Sequence, residues 1–137
     1  MRFPTFAKQQ IHRPIVPLRL YGLSGRWVNM DVLVDTGSDM CLFPDSLAQR
    51  LDLDLTGLPE TPLTSALGTA ATYRAQSLWL ELQQYPERLR WKTTVGFLPR
   101  RMTYGLLGTK GFFEHFSLHY AANQHTFDLL PSESLPT

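Results

Sequence analysis

Val32-Leu33-Val34-Asp35-Thr36-Gly37-Ser38 decides the reading of this chain: three strand-forming apolar residues run straight into a carboxylate and three small turn residues. A carboxylate at the end of a buried strand is costly unless something holds it, and the residues after Asp35 are of the types that could. Thr36 brings a hydroxyl able to bond across to a neighbouring backbone. Gly37 allows a tight turn with its N–H presented to the carboxylate, and Ser38 can donate a hydroxyl to the outer carboxylate oxygen. The chain offers this Asp-Thr/Ser-Gly unit once. If Asp35 works in a carboxylate pair, the second member must come from another copy, and the expectation is a symmetric dimer with a shared site. The triplet is also ordinary turn chemistry and recurs by chance, so its surroundings have to carry the argument.

Upstream, Leu18 and Leu20 alternate with Arg19, Gly22 and Gly25 mark a turn, and Val28, Met30, Val32 and Val34 share one face of a period-two strand. This is a hairpin that delivers the chain to Asp35. Pro14 and Pro17 cannot donate ladder hydrogen bonds, which places the start of the first strand at a sheet edge or an intermolecular junction. Downstream, Pro44 to Leu51 reads as one or two helical turns with Leu47, Ala48 and Leu51 facing inward. Residues 62–66 and 72–82 read as a long hairpin with the small-residue tip Leu67, Gly68, Thr69, Ala70, Ala71, anchored by Leu78, Leu80 and Leu82. Trp91 to Leu98 is a further strand between Pro86 and Pro99. Tyr104, Gly105, Leu106, Leu107 and Gly108 lead into a predicted short helix from Thr109 to Phe116, capped by Thr109 and burying Phe112, Phe113 and Phe116. A last hairpin joins Ser117–Tyr120 to Thr126–Leu130, and the polar end from Pro131 is expected to fray.

Bulk properties narrow the function classes. The 137 residues suit one domain, with 43% hydrophobic and 18% charged residues. Lys+Arg (13) nearly balances Asp+Glu (12), and Arg100–Arg101 is the one adjacent basic pair, so nucleic acid is disfavoured as a partner. The single Cys41 cannot form an intrachain disulfide and is expected to pack as a small hydrophobe. His115 and His119 have helical spacing but lack the glutamate of a zinc motif, so neither a metal nor another cofactor is expected. No run approaches the ~18 apolar residues of a membrane span, and residues 1–10 lack a signal-like apolar core. The expectation is a soluble cytoplasmic protein with no membrane partner.

Two ordered signatures, Val32-Leu33-Val34-Asp35-Thr36-Gly37-Ser38-Asp39 and Leu106-Leu107-Gly108, separated by the hairpin around Gly68 and preceded by Arg13-Pro14-Ile15-Val16, resemble the retropepsins, the single-domain aspartic proteases of retroviruses and their relatives. The resemblance implies a mainly β, retropepsin-like half-barrel with two short helices and one lobe per chain: an arm over 1–12, the protease domain over 13–130 and a flexible tail over 131–137. It implies a homodimeric endopeptidase acting on extended peptides, with Asp35 catalytic, Thr36 interlocking with its counterpart across the dimer axis, and Gly37 and Ser38 supporting the turn. Asp39, Leu67, Gly68, Thr69 and Leu106 would line the substrate, residues 67–69 as the tip of a flap.

The chain departs from that pattern in places. Gly68 stands alone in a flap tip that is glycine-rich in the viral enzymes. Thr109 follows Gly108 where those enzymes often have an arginine that pairs with the counterpart of Asp39. For Asp39, capping the Pro44 region or pairing with Arg13 stand beside substrate binding. The strand Thr126–Leu130 is the candidate contributor to a dimer interface. A retropepsin-fold dimerisation or peptide-binding module with little or no hydrolysis is the alternative reading.

Overall fold

The computed structural model describes residues 1–64 and 70–135. The tip residues Leu67, Gly68 and Thr69 therefore lie outside the described residues.

The hairpin that leads to Asp35 is formed by β4 (Ile15–Tyr21) and β5 (Trp27–Val34), antiparallel with Leu18 opposite Met30. Alternation decides which side is buried: Val16, Leu18, Leu20, Val28 and Val32 point into the core, while Arg19, Trp27 and Asn29 point away. After β5 come β6 (Leu42–Pro44), α1 (Asp45–Arg50), β7 (Thr61–Thr64), the long β8 (Ala70–Gln84), β9 (Glu87–Leu98) and the short β10 (Gly105–Leu107). Their order in the sheet is β4-β5-β10-β6-β9-β8-β7, and β8 also pairs with β4, so the sheet closes into a barrel with β7 hanging from β8 as the hairpin partner. Pro17 sits on β4 where β5 pairs with it but β8 does not, since the β8 contact covers Arg19–Tyr21. The sheet-edge expectation for this proline holds, because no ladder donor is needed there.

The barrel interior is filled by Leu78, Leu80 and Leu82 of β8, Val95 and Phe97 of β9, and Trp91, all fully or almost fully buried. The Trp91 indole would be an expensive polar group here, but its Nε1–H donates to the Gly111 carbonyl at 2.9 Å. Helix α1 closes one end through Leu47, Ala48 and the following Leu51. A second, smaller apolar cluster of Met40, Leu42 and Leu98 lies against Leu63, Ala71 and Tyr73 of the hairpin strands.

Beside the barrel, β11 (Phe116–Ala121) and β12 (Thr126–Pro131) form the expected terminal hairpin, and β1 (Arg2–Pro4) adds to its other side in the order β1-β12-β11. Asp128 on β12 accepts from Arg2 at 2.8 Å, and the terminal amine of Met1 donates to the Leu129 carbonyl. This limits how Thr126–Leu130, the candidate contributor to a dimer interface, could take part in one. Both edges of β12 are occupied within the chain, so its backbone has no free ladder to offer a second copy. The remaining pair, β2 (Phe6–Lys8) and β3 (Ile11–Arg13), forms a separate two-stranded hairpin with Phe6 and Ile11 exposed.

The second expected helix, over Thr109–Phe116, is not a regular helix. Gly111 takes φ +98, and the Phe113 and Glu114 N–H groups bond back five residues to Gly108 and Thr109. The Thr109 and Lys110 N–H groups are committed to the carbonyls of Ser38 and Asp39, so tertiary partners take the groups a helix start would leave free. Phe112 and Phe116 are nevertheless buried as expected, stacked at 4.6 Å between ring centroids, with Phe113 half-buried. The second short helical element is a 3-10 turn at Ala122–Gln124, where a plain hairpin turn was expected.

Candidate active site

Strands β5 and β6 are joined by the Asp35 loop yet do not pair with one another. Strand β10 is threaded between them, parallel to β5 with Leu106 opposite Leu33 and antiparallel to β6 with Leu106 opposite Leu42. The loop is thereby clamped from below. Asp35 N–H donates to the Leu107 carbonyl at 3.0 Å, Thr109 N–H to the Ser38 carbonyl at 2.9 Å, and Lys110 N–H to the Asp39 carbonyl at 2.9 Å. Val34 N–H is held by the Pro14 carbonyl at 2.9 Å, so the chain just before Asp35 is fixed from the other side as well.

Within the loop, Gly37 N–H donates to Asp35 Oδ1 at 2.9 Å, which is the use expected of that glycine. A Cβ at position 37 would lie 3.3 Å from the same oxygen, so any side chain would press on the carboxylate. Ser38 behaves differently from expectation: its hydroxyl donates to the Met40 carbonyl at 2.7 Å, not to Asp35. The competing acceptor is local, and a serine bonded to the backbone two residues on closes its own turn. Asp35 is half-buried, and Thr36, Gly37 and Asp39 are exposed. Among the described residues, neither the Thr36 hydroxyl nor the Asp39 carboxylate has a hydrogen-bond or ion-pair partner within the chain, so Asp39 neither pairs with Arg13 nor caps α1 here.

Gly108 explains why the second signature ends in glycine. A Cβ there would sit 2.4 Å from the Met40 carbonyl oxygen and 2.6 Å from that of Ser38, both backbone atoms of the Asp35 loop. Cys41 lies behind the loop, fully buried, and burial pushes its thiol up to about 12 while a hydrogen bond from the Gly108 backbone partly offsets this. It packs as the small hydrophobe expected, in a form that is no nucleophile.

Leu106 is half-buried against Met40, Leu42 and Leu98, on the side where Leu63, Ala71 and Tyr73 of the hairpin strands approach. The apolar floor beneath that hairpin thus includes Met40, Tyr73 and Met102, which sequence reading did not single out. Gly96 was the available signal. It is a glycine inside a strand, and a Cβ there would meet Leu42 and Met40 at 2.9 Å and Tyr73 at 3.0 Å, the mark of a close packing point. A cavity of about 410 Å³ opens between the β2–β3 hairpin, Ile15 and Tyr104. Another, of about 230 Å³ between α1 and Thr72–Arg74, includes none of residues 35–39. Among the described residues no cluster of three or more His, Cys, Asp or Glu could hold a metal, and no helix is long and apolar enough to cross a membrane.

A closed barrel with a strand threaded under an Asp-Thr-Gly loop defines a single-lobed acid-protease fold of the retropepsin type. Comparison with known proteins agrees. The sequence model of the aspartyl protease family matches residues 16–110, more than half of the chain, and the chain belongs to that family. Among solved structures it is similar to a retropepsin-like aspartic protease from Rickettsia conorii, at 14% identity and a TM-score of 0.57, with 95% of this chain and 90% of that one covered. It also matches the protease of EIAV in complex with the inhibitor HBY-793, at 16% identity and a TM-score of 0.43 over 75% of this chain and 88% of that one. No curated protein sequence matches.

Proposed function

We propose that the protein is an aspartic endopeptidase that works as a homodimer, with Asp35 of each copy supplying one carboxylate of the active pair. The observation that carries this reading is the Asp35 loop itself: one carboxylate, fixed by the Gly37 N–H at 2.9 Å and by the strand beneath it, flanked by an exposed Thr36 whose hydroxyl has no partner among the described residues. When a two-fold axis brings two such carboxylates to within about 3 Å, repulsion keeps both from ionising and the pair shares a proton. The ionised member activates water against the scissile carbonyl. The protonated member hydrogen-bonds the carbonyl oxygen, and protons then pass to the leaving amine. No metal and no covalent intermediate enter. The two Thr36 hydroxyls would interlock across the axis. An extended peptide would lie over Leu106 and Asp39 under the hairpin whose tip holds Leu67, Gly68 and Thr69, adding strand-like hydrogen bonds.

One observation favours the second reading, a peptide-binding module with weak or no hydrolysis. The Ser38 hydroxyl is turned onto the Met40 carbonyl, which leaves the outer oxygen of Asp35 without that donor. A single experiment separates the two. The purified chain and Asp35→Asn are incubated with a peptide library between about pH 4 and 7. Turnover by the wild type alone supports the protease; equal turnover by both, or none by either, refutes it. The dimer is tested separately by sedimentation, where a protein that stays monomeric at every concentration, even with a peptide inhibitor, could not form the pair.

A further inference from the structure

The solvent face of the barrel wall formed by β5, β4, β8 and β9 carries a side-chain arrangement that the site does not use. Strand register places Trp27 opposite Tyr21, Tyr21 opposite Trp79 and Trp79 opposite Lys92, so three aromatic rings and a lysine make one row across four strands. The neighbouring row is Asn29, Arg19, Glu81 and Arg90. The opposite face of the same strands is barrel core, with Leu20, Leu80 and Trp91 fully buried, so these aromatics are not needed for the interior. Trp27 is 49% exposed.

Guanidinium groups lie over the rings. Arg19 Cζ is 4.0 Å from the Trp27 ring centroid, and Arg90 Cζ is 4.4 Å from that of Tyr21 and 4.8 Å from that of Trp79. The acid in the patch, Glu81, is 1% exposed and already satisfied: it pairs with Arg88 at 3.1 Å and accepts from Tyr21 and Gln83. Arg19, Arg90 and Lys92 therefore have no carboxylate ion-paired to them among the described residues, and although exposed Asp31 lies in the next row beyond Asn29, the two rows carry more cations than acids on a chain whose net charge is +1.

We propose that this face docks an acidic segment of a partner protein. Two features favour that occupant. Arginine forks present several N–H donors in a geometry that matches carboxylates, and rings preceding them in the stack supply the rigid apolar area typical of binding hot spots. Single-stranded nucleic acid would stack bases on the rings, and a guanidinium over each of the three rings leaves less ring face open to a base. The cationic row is displaced along β5 from Asp35, Asn29 being six residues before it, or roughly 20 Å at strand rise. Docking there leaves the Asp35 loop free, so the inference stands whether or not the protease reading does.

The test uses the full chain carrying Asp35→Asn, so that hydrolysis cannot consume the probe. Fluorescence polarisation follows binding of a short labelled glutamate/leucine peptide and, in parallel, oligothymidylate of matched length. The expected result is salt-sensitive peptide binding that falls about tenfold or more in Arg19→Glu/Arg90→Glu, falls in Trp27→Ala, and is unchanged in Arg100→Glu/Arg101→Glu on the loop after β9. Arg88 is left intact because it neutralises buried Glu81; circular dichroism confirms that each variant is folded. If the double variant does not fold, Trp27→Ala and Lys92→Glu carry the comparison. Absence of peptide binding, equal affinity in all folded variants, or tighter binding of oligothymidylate lost through the same substitutions would each overturn the proposal.

Discussion

Gly108→Ala tests the claim that β10 clamps the Asp35 loop. The added methyl would start 2.4 Å from the Met40 carbonyl oxygen and 2.6 Å from that of Ser38, and both contacts must open by close to 1 Å to reach ordinary van der Waals separation. Neither carbonyl is free to move. Ser38 O accepts from Thr109 N–H at 2.9 Å, and Met40 O accepts from Ser38 Oγ at 2.7 Å. Overpacking of this kind costs about 1–3 kcal/mol, and weakening the two hydrogen bonds adds about 0.5–1.5 kcal/mol each. A loss of about 2–6 kcal/mol is therefore expected, a large part of the 5–15 kcal/mol typical of a domain. Urea unfolding followed by tryptophan fluorescence measures it, with Ser38→Ala as the comparison that removes one hydrogen bond without a clash. If Gly108→Ala unfolds at the wild-type urea midpoint with an unchanged slope, the close approach is not what holds this loop.

Three further outcomes follow from the same structure. The Arg2 guanidinium holds the Asp128 carboxyl below its ordinary value, so the contribution of this pair to the β1–β12 attachment is fully present above the unfolded carboxylate range and is lost as pH falls through the lowered folded value. An NMR titration should show Asp128 moving back up in Arg2→Ala, and an unmoved Asp128 would dismiss the pair. With its thiol pushed up to about 12 by burial, Cys41 should resist a thiol reagent in the native protein and react fully once unfolded; fast native labelling would contradict the packing. Arg88→Met removes the partner of buried Glu81 while Tyr21 and Gln83 remain on the carboxylate, and a destabilisation of about 1–3 kcal/mol is expected by thermal or urea unfolding.

Period-two alternation made most of the barrel legible. Leu78, Leu80 and Leu82 on one side of β8, and Val28 and Val32 on one side of β5, are buried as their spacing implies, because in a strand the side-chain period is fixed by the backbone. The two signatures were legible for a different reason: Gly37 and Gly108 are dictated by close approaches of backbone and carboxylate, which leave a trace in residue identity. What could not be read was competition for hydrogen bonds. The helix expected at Thr109–Phe116 had suitable spacing, but Gly111 takes φ +98 and the Phe113 and Glu114 N–H groups bond back five residues, while the Thr109 and Lys110 N–H groups hold Ser38 and Asp39, residues some seventy positions earlier. Likewise residue type allowed the Ser38 hydroxyl to be offered to Asp35, and the loop gives it to the Met40 carbonyl instead. The cationic face of β4, β5, β8 and β9 escaped for a related reason. Its arginines and aromatics are scattered between positions 19 and 92, and no linear run marks what sheet register assembles.

Within the chain, Pro14 and Leu107 fix the approach to the Asp35 loop, Gly37 orients the carboxylate, and Ser38 and Asp39 are tied to Thr109 and Lys110. The outward groups, Thr36 and the Asp39 carboxylate, are the ones without such ties among the described residues. On the proposed function, forming the half-site and completing it would be separate events. The Asp35 carboxylate is held by the Gly37 N–H of its own chain. On the proposed reading, pairing then adds the second carboxylate and changes its protonation without rebuilding the loop. It follows that Thr36→Ala should leave urea stability within about 0.5 kcal/mol, as for an exposed side chain with no partner, while weakening self-association measured by sedimentation. A Thr36→Ala protein that loses stability as a monomer would mean that the hydroxyl braces its own loop, and the division between folding and pairing would fail.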